Sequence, residues 1–250
     1  MSNRLSTAPA TAGTSINVLG GFALTAEGGP ISLPATAERL LAYLALVGKP
    51  VRRQQLAGAL WLESTDDRAA ASLRSTLWRL PRPVRPLIRA GATHVSLADD
   101  ARVDLWRAEA SIRQVGAAPE EAADLPDEAL GLLDQDVLPG WGDDWVLLER
   151  ERHRQRRLHA LERLCVLHRD SGRFDLALRA GLAAVSGEPL RESAHRRVIE
   201  VHLAEGNPGE ALRQYELFRR LVRTELGLSP SPAIRSLVAG LLGRPADGGR

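Results

Sequence analysis

The chain has 250 residues, 44% apolar and 26% charged, with a formal net charge of +2 and a single cysteine, Cys165. That length suits one large or two ordinary domains, and the composition is that of a soluble globular protein with a sizeable core. The longest apolar run, Leu40 to Val47, is far too short to cross a bilayer, and residues 1–15 lack the apolar stretch of a secretory leader; one cysteine excludes an internal disulfide and fits a reducing cytoplasm.

Of 33 basic residues only Lys49 is lysine, a bias that a GC-rich genome produces. Codon usage does not explain where the charge sits. Residues 1 to 98 carry 11 basic and 5 acidic side chains, a net of +6, and residues 99 to 250 carry 22 basic and 26 acidic, a net of −4. A basic front and an acidic rear suggest a polyanion-binding domain joined to something else.

In chain order, residues 1–14 read as a disordered start. Ser15 to Leu33 is short and β-like, with INVLGGFAL and ISL separated by the turn cluster EGGP, so a small antiparallel sheet is expected. Three helices follow. The first, Ala35 to Val47, puts Leu40, Leu41, Leu44 and Val47 on one face and is stopped by Gly48 and Pro50. The second runs from about Arg52 to Trp61. The third spans 66–80 behind the N-cap candidates Ser64, Thr65 and Asp66, and Pro81, Pro83 and Pro86 limit its continuation. LIRAGATHVSL, residues 87–97, then has two apolar segments around Gly91, a hairpin signal.

Sheet, three helices and hairpin make the order of a winged helix with an added N-terminal sheet, over residues 15–99. Its second and third helices, joined by LESTD, form a helix-turn-helix. At about 100° per residue, Leu73, Leu77 and Leu80 share a face with Ala69 and Ala70. The other face holds Arg68, Ser72, Ser75, Trp78, Arg79 and Arg82, with Arg74 at its edge, and from Arg68 to Ala98 there are six arginines and no acid. Small residues let a helix enter the major groove, where arginine forks reach guanine edges or phosphates. Arg89, Thr93 and His94 would place the wing on an adjacent groove or backbone. Trp78 has a second reading, packing against the first helix or the N-terminal sheet.

From Val103 onward the periodicity is helical, with helices around 104–115, 119–135 and 143–168. Two segments then repeat at an offset of 34 residues. Arg163 aligns with Arg197, Leu164 with Val198, Leu167 with Val201 and His168 with His202; Gly172 aligns with Gly206, Ala177 with Ala211, Leu178 with Leu212 and Arg179 with Arg213. That period belongs to tetratricopeptide-like helical hairpins, in which glycine closes the turn and small alanine lets helices approach. The expected fold is mainly α with a small β part. A winged helix-turn-helix is followed by an all-α tetratricopeptide-like repeat domain over 103–243, with 244–250 as a flexible tail.

These segments together resemble the Streptomyces antibiotic regulatory protein type of bacterial transcriptional activators. INVLGGFAL, ERLLAYLAL, RRQQLAGALW, AASLRSTLWRL and LIRAGATHVSL follow the order of that family's OmpR-type winged helix. VDLWRAEA, LPGWGDDWVLLERERHRQRRLHALE and the long stretch from Gly187 to Leu237 are similar to its bacterial transcriptional activator domain, and the likeness covers about residues 16–243. The resemblance implies double-stranded promoter DNA bound at direct repeats, cooperative or homodimeric occupancy, and contact with RNA polymerase holoenzyme. Two departures stand out: PRPVRP follows WRL where the family continues its helix with basic and apolar residues, and Thr93-His94 stands where the family wing commonly has Gly-Tyr. Neither a receiver domain nor a GxxxxGK[ST] loop is read, so the chain looks like a short, two-domain member that needs no cofactor.

No catalytic site is evident, and the chain is not read as an enzyme. Asp143 and Asp144, between Trp141 and Trp145, read as helix caps, with both tryptophans packing on the repeat core. Cys165, His168 and His202 lack the ligand number zinc needs and read as packing residues. His153 and His159 read as solvent-facing in a salt-bridged helix, residues 149–164. The reading is therefore a cytoplasmic, sequence-specific DNA-binding transcriptional activator without membrane contact or metal. Competing readings are a repeat scaffold with a degenerate winged helix, and a ligand-gated regulator.

Overall fold

The computed structural model describes residues 13–26, 29–117, 125 and 127–241. The starts and tails expected to be disordered, at 1–12 and 244–250, and most of the first half of the helix expected at 119–135 lie outside the described residues. The chain divides into two compact units, Met1–Ala108 with Gln135–His153, and Glu109–Asp134 with Arg154–Arg250.

The first unit begins with a four-stranded sheet in the order β3-β2-β1-β7, formed by β1 (Ser15–Asn17), β2 (Ala23–Ala26), β3 (Gly29–Pro30) and β7 (Arg102–Val103). β1 pairs antiparallel with β2, so that the buried Ile16 and Leu24 lie opposite each other. Gly29 and Pro30, expected in a turn, instead pair with Ala26 and Thr25. β7 runs parallel to β1 and leads directly into helix α4 (Asp104–Ala117). Asp104 is buried at that junction, where its carboxylate accepts hydrogen bonds from the Val18 and Leu19 amides at 2.9 and 3.0 Å. Burial pushes this carboxyl above the usual aspartate range, and the amide donors partly oppose the rise.

Helices α1 (Ala35–Val47), α2 (Arg53–Leu60) and α3 (Asp66–Arg79) follow the expected segments to within a residue or two. Leu40, Leu41 and Leu44 of α1 and Leu56 and Leu60 of α2 are buried. Gly48 ends α1 in the left-handed region, φ 63°, with its amide on the Leu44 carbonyl at 3.0 Å. A second sheet, in the order β4-β6-β5, joins β4 (Val51–Arg52) to the hairpin of β5 (Ile88–Ala90) and β6 (His94–Leu97). β4 and β7 are too short for an alternating pattern to reveal them.

The first unit also takes in residues 135–153. Leu19 bridges Val137, and the Leu138 amide reaches the Val18 carbonyl at 2.8 Å. Leu138 has φ 43°, rare for a side chain of this size, and Arg150 holds its loop by donating to the carbonyls of Val137, Leu138 and Trp141. Trp141 and Trp145 pack here and not on the repeat core. Trp141 lies 6.2 Å from Phe22 and Trp145 lies 5.1 Å from Tyr43, centroid to centroid. Asp143 accepts from Arg39 at 2.5 Å while the same guanidinium donates to the Leu60 carbonyl, so the acid serves an ion pair between loop and α1.

The second unit is helical. It contains α5 (Asp127–Leu133), the later part of α6 (Asp144–Asp170), α7 (Phe174–Gly187), α8 (Glu192–Ala204), α9 (Pro208–Leu226) and α10 (Pro232–Ala239). The offset of 34 recurs in the backbone. Gly172 and Gly206 have φ of 71° and 84°, and the amides of Arg173 and Asn207 each return 2.8 Å to the carbonyls of His168 and His202. Ala177 and Ala211 are fully buried. The repeat then diverges, because Gly181 aligns with Tyr215. A Cβ at Gly181 would sit 2.9 Å from Val198 and 3.1 Å from the Cys165 sulfur, so α7 packs too closely for a side chain. In the last hairpin the Tyr215 ring joins Ile199, Phe218, Val222, Ile234 and Val238 in one apolar cluster.

The solvent-facing reading of residues 149–164 needs correction. His159 is exposed, but His153 is 1% and Arg157 2% exposed, and Arg157 donates to the Leu133 carbonyl at 3.1 Å. Cys165 is buried and its thiol is pushed up to about 12, so it stays protonated. Among the described residues no group of three or more His, Cys, Asp and Glu side chains is arranged to hold a metal ion, and no helix is long and apolar enough to cross a membrane.

Asp104→Ala leaves the Val18 and Leu19 amides without an acceptor, and urea unfolding should show a loss of about 3 kcal/mol. His195 is fully buried, its Nε2 donating to the Pro189 carbonyl and its Nδ1 accepting from Gln214, both at 2.9 Å. Burial lowers its pKa below the ordinary 6.5. The unfolded chain therefore takes up the proton first, so this stability is complete above pH 6.5 and declines as pH falls toward the depressed folded value. Urea midpoints should fall between pH 7.5 and 5.5, and His195→Gln should flatten that slope.

Candidate nucleic-acid interface

α3 starts behind Thr65 with Asp66 and Asp67 in its first turn, where acids favour the positive end of the helix dipole. Only Ala69 and Leu73 of the helix are fully buried, and Leu80 is buried just beyond its end. Ala70 and Leu77, expected on the buried face, are half-buried. They line an open groove of about 610 Å³ between α2, α3 and the hairpin, together with Arg53, Gln54, Arg74 and Ala92.

The remaining surface of α3 carries the candidate residues. Arg68, Arg74, Trp78 and Arg79 are exposed, and the Trp78 side chain, at 77% exposure, packs against neither the first helix nor the sheet. Ser72 and Ser75 are half-buried on the flank toward α1, where with Trp61 and Arg79 they line a smaller hollow of about 260 Å³. Arg82 is exposed in the turn beyond the helix end. None of Arg68, Arg74, Arg79 and Arg82 meets a carboxylate among the described residues. The outward surface thus combines unneutralised guanidiniums with a large indole, and it turns its acids toward one end only.

PRPVRP forms a turn and a short 3-10 segment, Arg85–Leu87, that brings Arg85 back to the helix. Arg85 donates through Nε to the Leu80 carbonyl at 2.9 Å and through Nη2 to the Trp78 carbonyl at 3.0 Å. It therefore satisfies carbonyls left open at the C-terminus of α3. Sequence reasoning missed this closure, because the contact spans a turn that periodicity does not describe.

Arg53 fixes the wing in the same way. Its amide bonds the Thr93 carbonyl and its Nε the Gly91 carbonyl, both at 2.9 Å, which ties the hairpin tip to the start of α2. Thr93 and His94 are exposed at the tip, with the threonine hydroxyl 2.9 Å from the His94 Nδ1. Arg89 pairs with Asp99 at 2.5 Å, and at 58% and 82% exposure both partners remain in solvent. Such a pair contributes little and exchanges readily. The structure thus brings Arg89, Thr93 and His94 together on one hairpin and Arg68, Arg74, Trp78 and Arg79 on one helix surface, with Ser72 and Ser75 set back from it.

Residues 103–242 match the family of the bacterial transcriptional activator domain. Over 212 residues the chain is 29% identical to the regulatory protein AfsR of Streptomyces coelicolor, an alignment covering 82% of this chain and 21% of that protein. It is 27% identical over 227 residues to the regulatory protein AfsR of Streptomyces griseus, covering 86% and 23%. The chain thus spans about a fifth of the length of the curated relatives it matches. Mycobacterium tuberculosis EmbR, solved in complex with a low-affinity phosphopeptide, has the same fold, with a TM-score of 0.65 over 94% of this chain and 66% of that one at 22% identity.

Removing the Arg85 side chain tests how α3 is held. Arg85→Ala should speed amide exchange in the last turn of α3 by about tenfold while leaving α1 unchanged, as read by hydrogen-exchange mass spectrometry.

Proposed function

Because this chain belongs to the bacterial transcriptional activator domain family, a family of transcriptional regulators, we propose that it is a cytoplasmic, sequence-specific DNA-binding activator of transcription. The observation that carries this reading is the outward surface of α3, where Arg68, Arg74 and Arg79, with Arg82 just past the helix end, have no carboxylate partner among the described residues and share the surface with an exposed indole.

The charge along α3 suggests how it would enter the major groove. Asp66 and Asp67 at its N-terminus repel phosphates, so the half from Arg74 to Arg79 is the part that approaches the duplex. Arg74 and Arg79 take guanine edges or flanking phosphates, and Trp78 offers an apolar face to a thymine methyl. Arg82, just past the C-terminal end of α3, holds the backbone there, and Arg68 offsets the two acids at the other end. Ser72 and Ser75 supply close approach and short hydrogen bonds where the helix flank meets the strand. Arg89 exchanges Asp99 for a phosphate, and Thr93 and His94 position the wing. Residues 15–99 serve as the winged-helix DNA-binding domain and 103–243 as the activator domain. The helical hairpins of the latter present the surface for RNA polymerase holoenzyme, and for a second copy of the chain on tandem promoter repeats. The description of the Streptomyces relatives as regulatory proteins supports a regulatory role.

Gel-shift titration with the full chain on a selected duplex should show Arg79→Ala weakening binding by about 1–3 kcal/mol on that sequence, as loss of a base contact does. Arg89→Ala should weaken binding to every sequence alike and lower the salt slope by about 1. Unchanged affinity in both variants would contradict the assignment.

A further inference from the structure

The arginines near the end of α9 gather in one place. Several guanidiniums of the second unit meet carboxylates: Arg154 meets Glu188, Arg156 meets Glu109, Arg191 meets Glu162, and Arg169 and Arg197 share Glu200. Arg219, Arg220 and Arg223 of α9 and Arg235 of α10 instead line one hollow of about 400 Å³, together with Tyr215 and residues 228–230. Arg219 is held by Glu216 at 2.6 Å, and Arg220 reaches only the Glu216 carbonyl, at 3.4 Å. Arg220, Arg223 and Arg235 meet no carboxylate among the described residues.

Two features show that this is more than a solvated basic stripe. The first is convergence. Arg219 and Arg223 are four residues apart on one helix face and Arg235 arrives from another helix, so like charges are held together at the expense of helix stability. The second is an orphan donor. The Arg235 Nε is shielded from solvent and has no acceptor among the described residues. Burial pushes the Tyr215 phenol up, and of the charges acting on it Arg219 and Arg235 lower its pKa while Glu216 raises it. The backbone around them is fixed, because Phe218 and Val222 of α9 and Ile234 of α10 are buried in one cluster and Glu192 binds the Ser231 amide at 2.9 Å.

We propose that this hollow is a binding site for the phosphate groups of a small phosphorylated molecule. Planar guanidinium forks match phosphate oxygens two at a time, and several forks in one concavity suit two or more adjacent phosphates. The volume lies within the range of small-ligand sites, and its inward curvature suits a small solute better than the convex ridge of a duplex. Leu228, exposed beside the buried Pro230 in the lining, gives an organic group an apolar surface. The site lies in the second unit and does not depend on the role of α3.

The test is isothermal titration of the full chain with pyrophosphate and, separately, with ATP in the presence of chelator, at low and fixed ionic strength with sodium sulfate as the control. Both probes should bind at one site per chain, and ATP more tightly if the rim holds the organic part. Arg223→Gln with Arg235→Gln should weaken both by at least about tenfold, with duplex affinity unchanged. Should the double variant fail to fold, Arg220→Gln, an exposed position, should weaken ATP binding by about threefold at an unchanged unfolding midpoint. Heat no greater than that of sulfate would overturn the proposal, as would equal binding by the variants. Loss of duplex affinity in the variants, with no ATP binding by the parent chain, would assign these arginines to the DNA backbone instead.

Discussion

Helix α3 commits only Ala69 and Leu73 of its 14 side chains fully to the core, so its orientation depends on how its ends are held. At the start, Asp66 and Asp67 complement the helix dipole. At the finish, Arg85 gathers the carbonyls of Trp78 and Leu80. The wing is tied by the same chemistry, a guanidinium on main-chain carbonyls, through Arg53. Because so little of the helix is committed to the core, Arg68, Arg74, Trp78 and Arg79 stay in solvent along its length. A helix packed along a broad apolar stripe could not leave so much of its surface open.

Arginine therefore does three different jobs in this chain. Arg53, Arg85, Arg150 and Arg157 bind carbonyls and act as structural clamps. Arg39 and many arginines of the second unit neutralise carboxylates. A third group, Arg68, Arg74 and Arg79 on α3 and Arg223 and Arg235 at the α9–α10 hollow, has neither kind of partner among the described residues, and charge without a partner is where an external anion gains most. Composition alone does not separate these groups, since nearly every basic residue is the same amino acid.

That explains which parts of the structure were legible in the sequence. The helices of the winged helix were readable because Leu40 and Leu44, Leu56 and Leu60, and Leu73 and Leu77 recur at helical spacing, and the hairpin because Gly91 divides two apolar runs. The repeat was readable because a left-handed turn demands glycine, and Gly172 and Gly206 stand 34 apart. Burial of charged residues was not readable. His153 and Arg157 sit in a run that looks uniformly polar, yet both are buried, which periodicity of apolar residues has no means to register. The packing of Trp141 on Phe22 and of Trp145 on Tyr43 is not legible either, because a tryptophan signals burial without naming its partner. At the candidate interface the cationic face was legible, whereas the exposure of Trp78 and the return of Arg85 required coordinates.

The central claim is that the open surface of α3 reads the edges of base pairs. Selection of bound duplexes from a random pool by the purified full chain tests it most directly. The account predicts enrichment of a short motif in tandem copies, and loss of that motif when Arg74 and Arg79 are both replaced by alanine. A recovered pool indistinguishable from the input, or the same motif selected by the double variant, would contradict it.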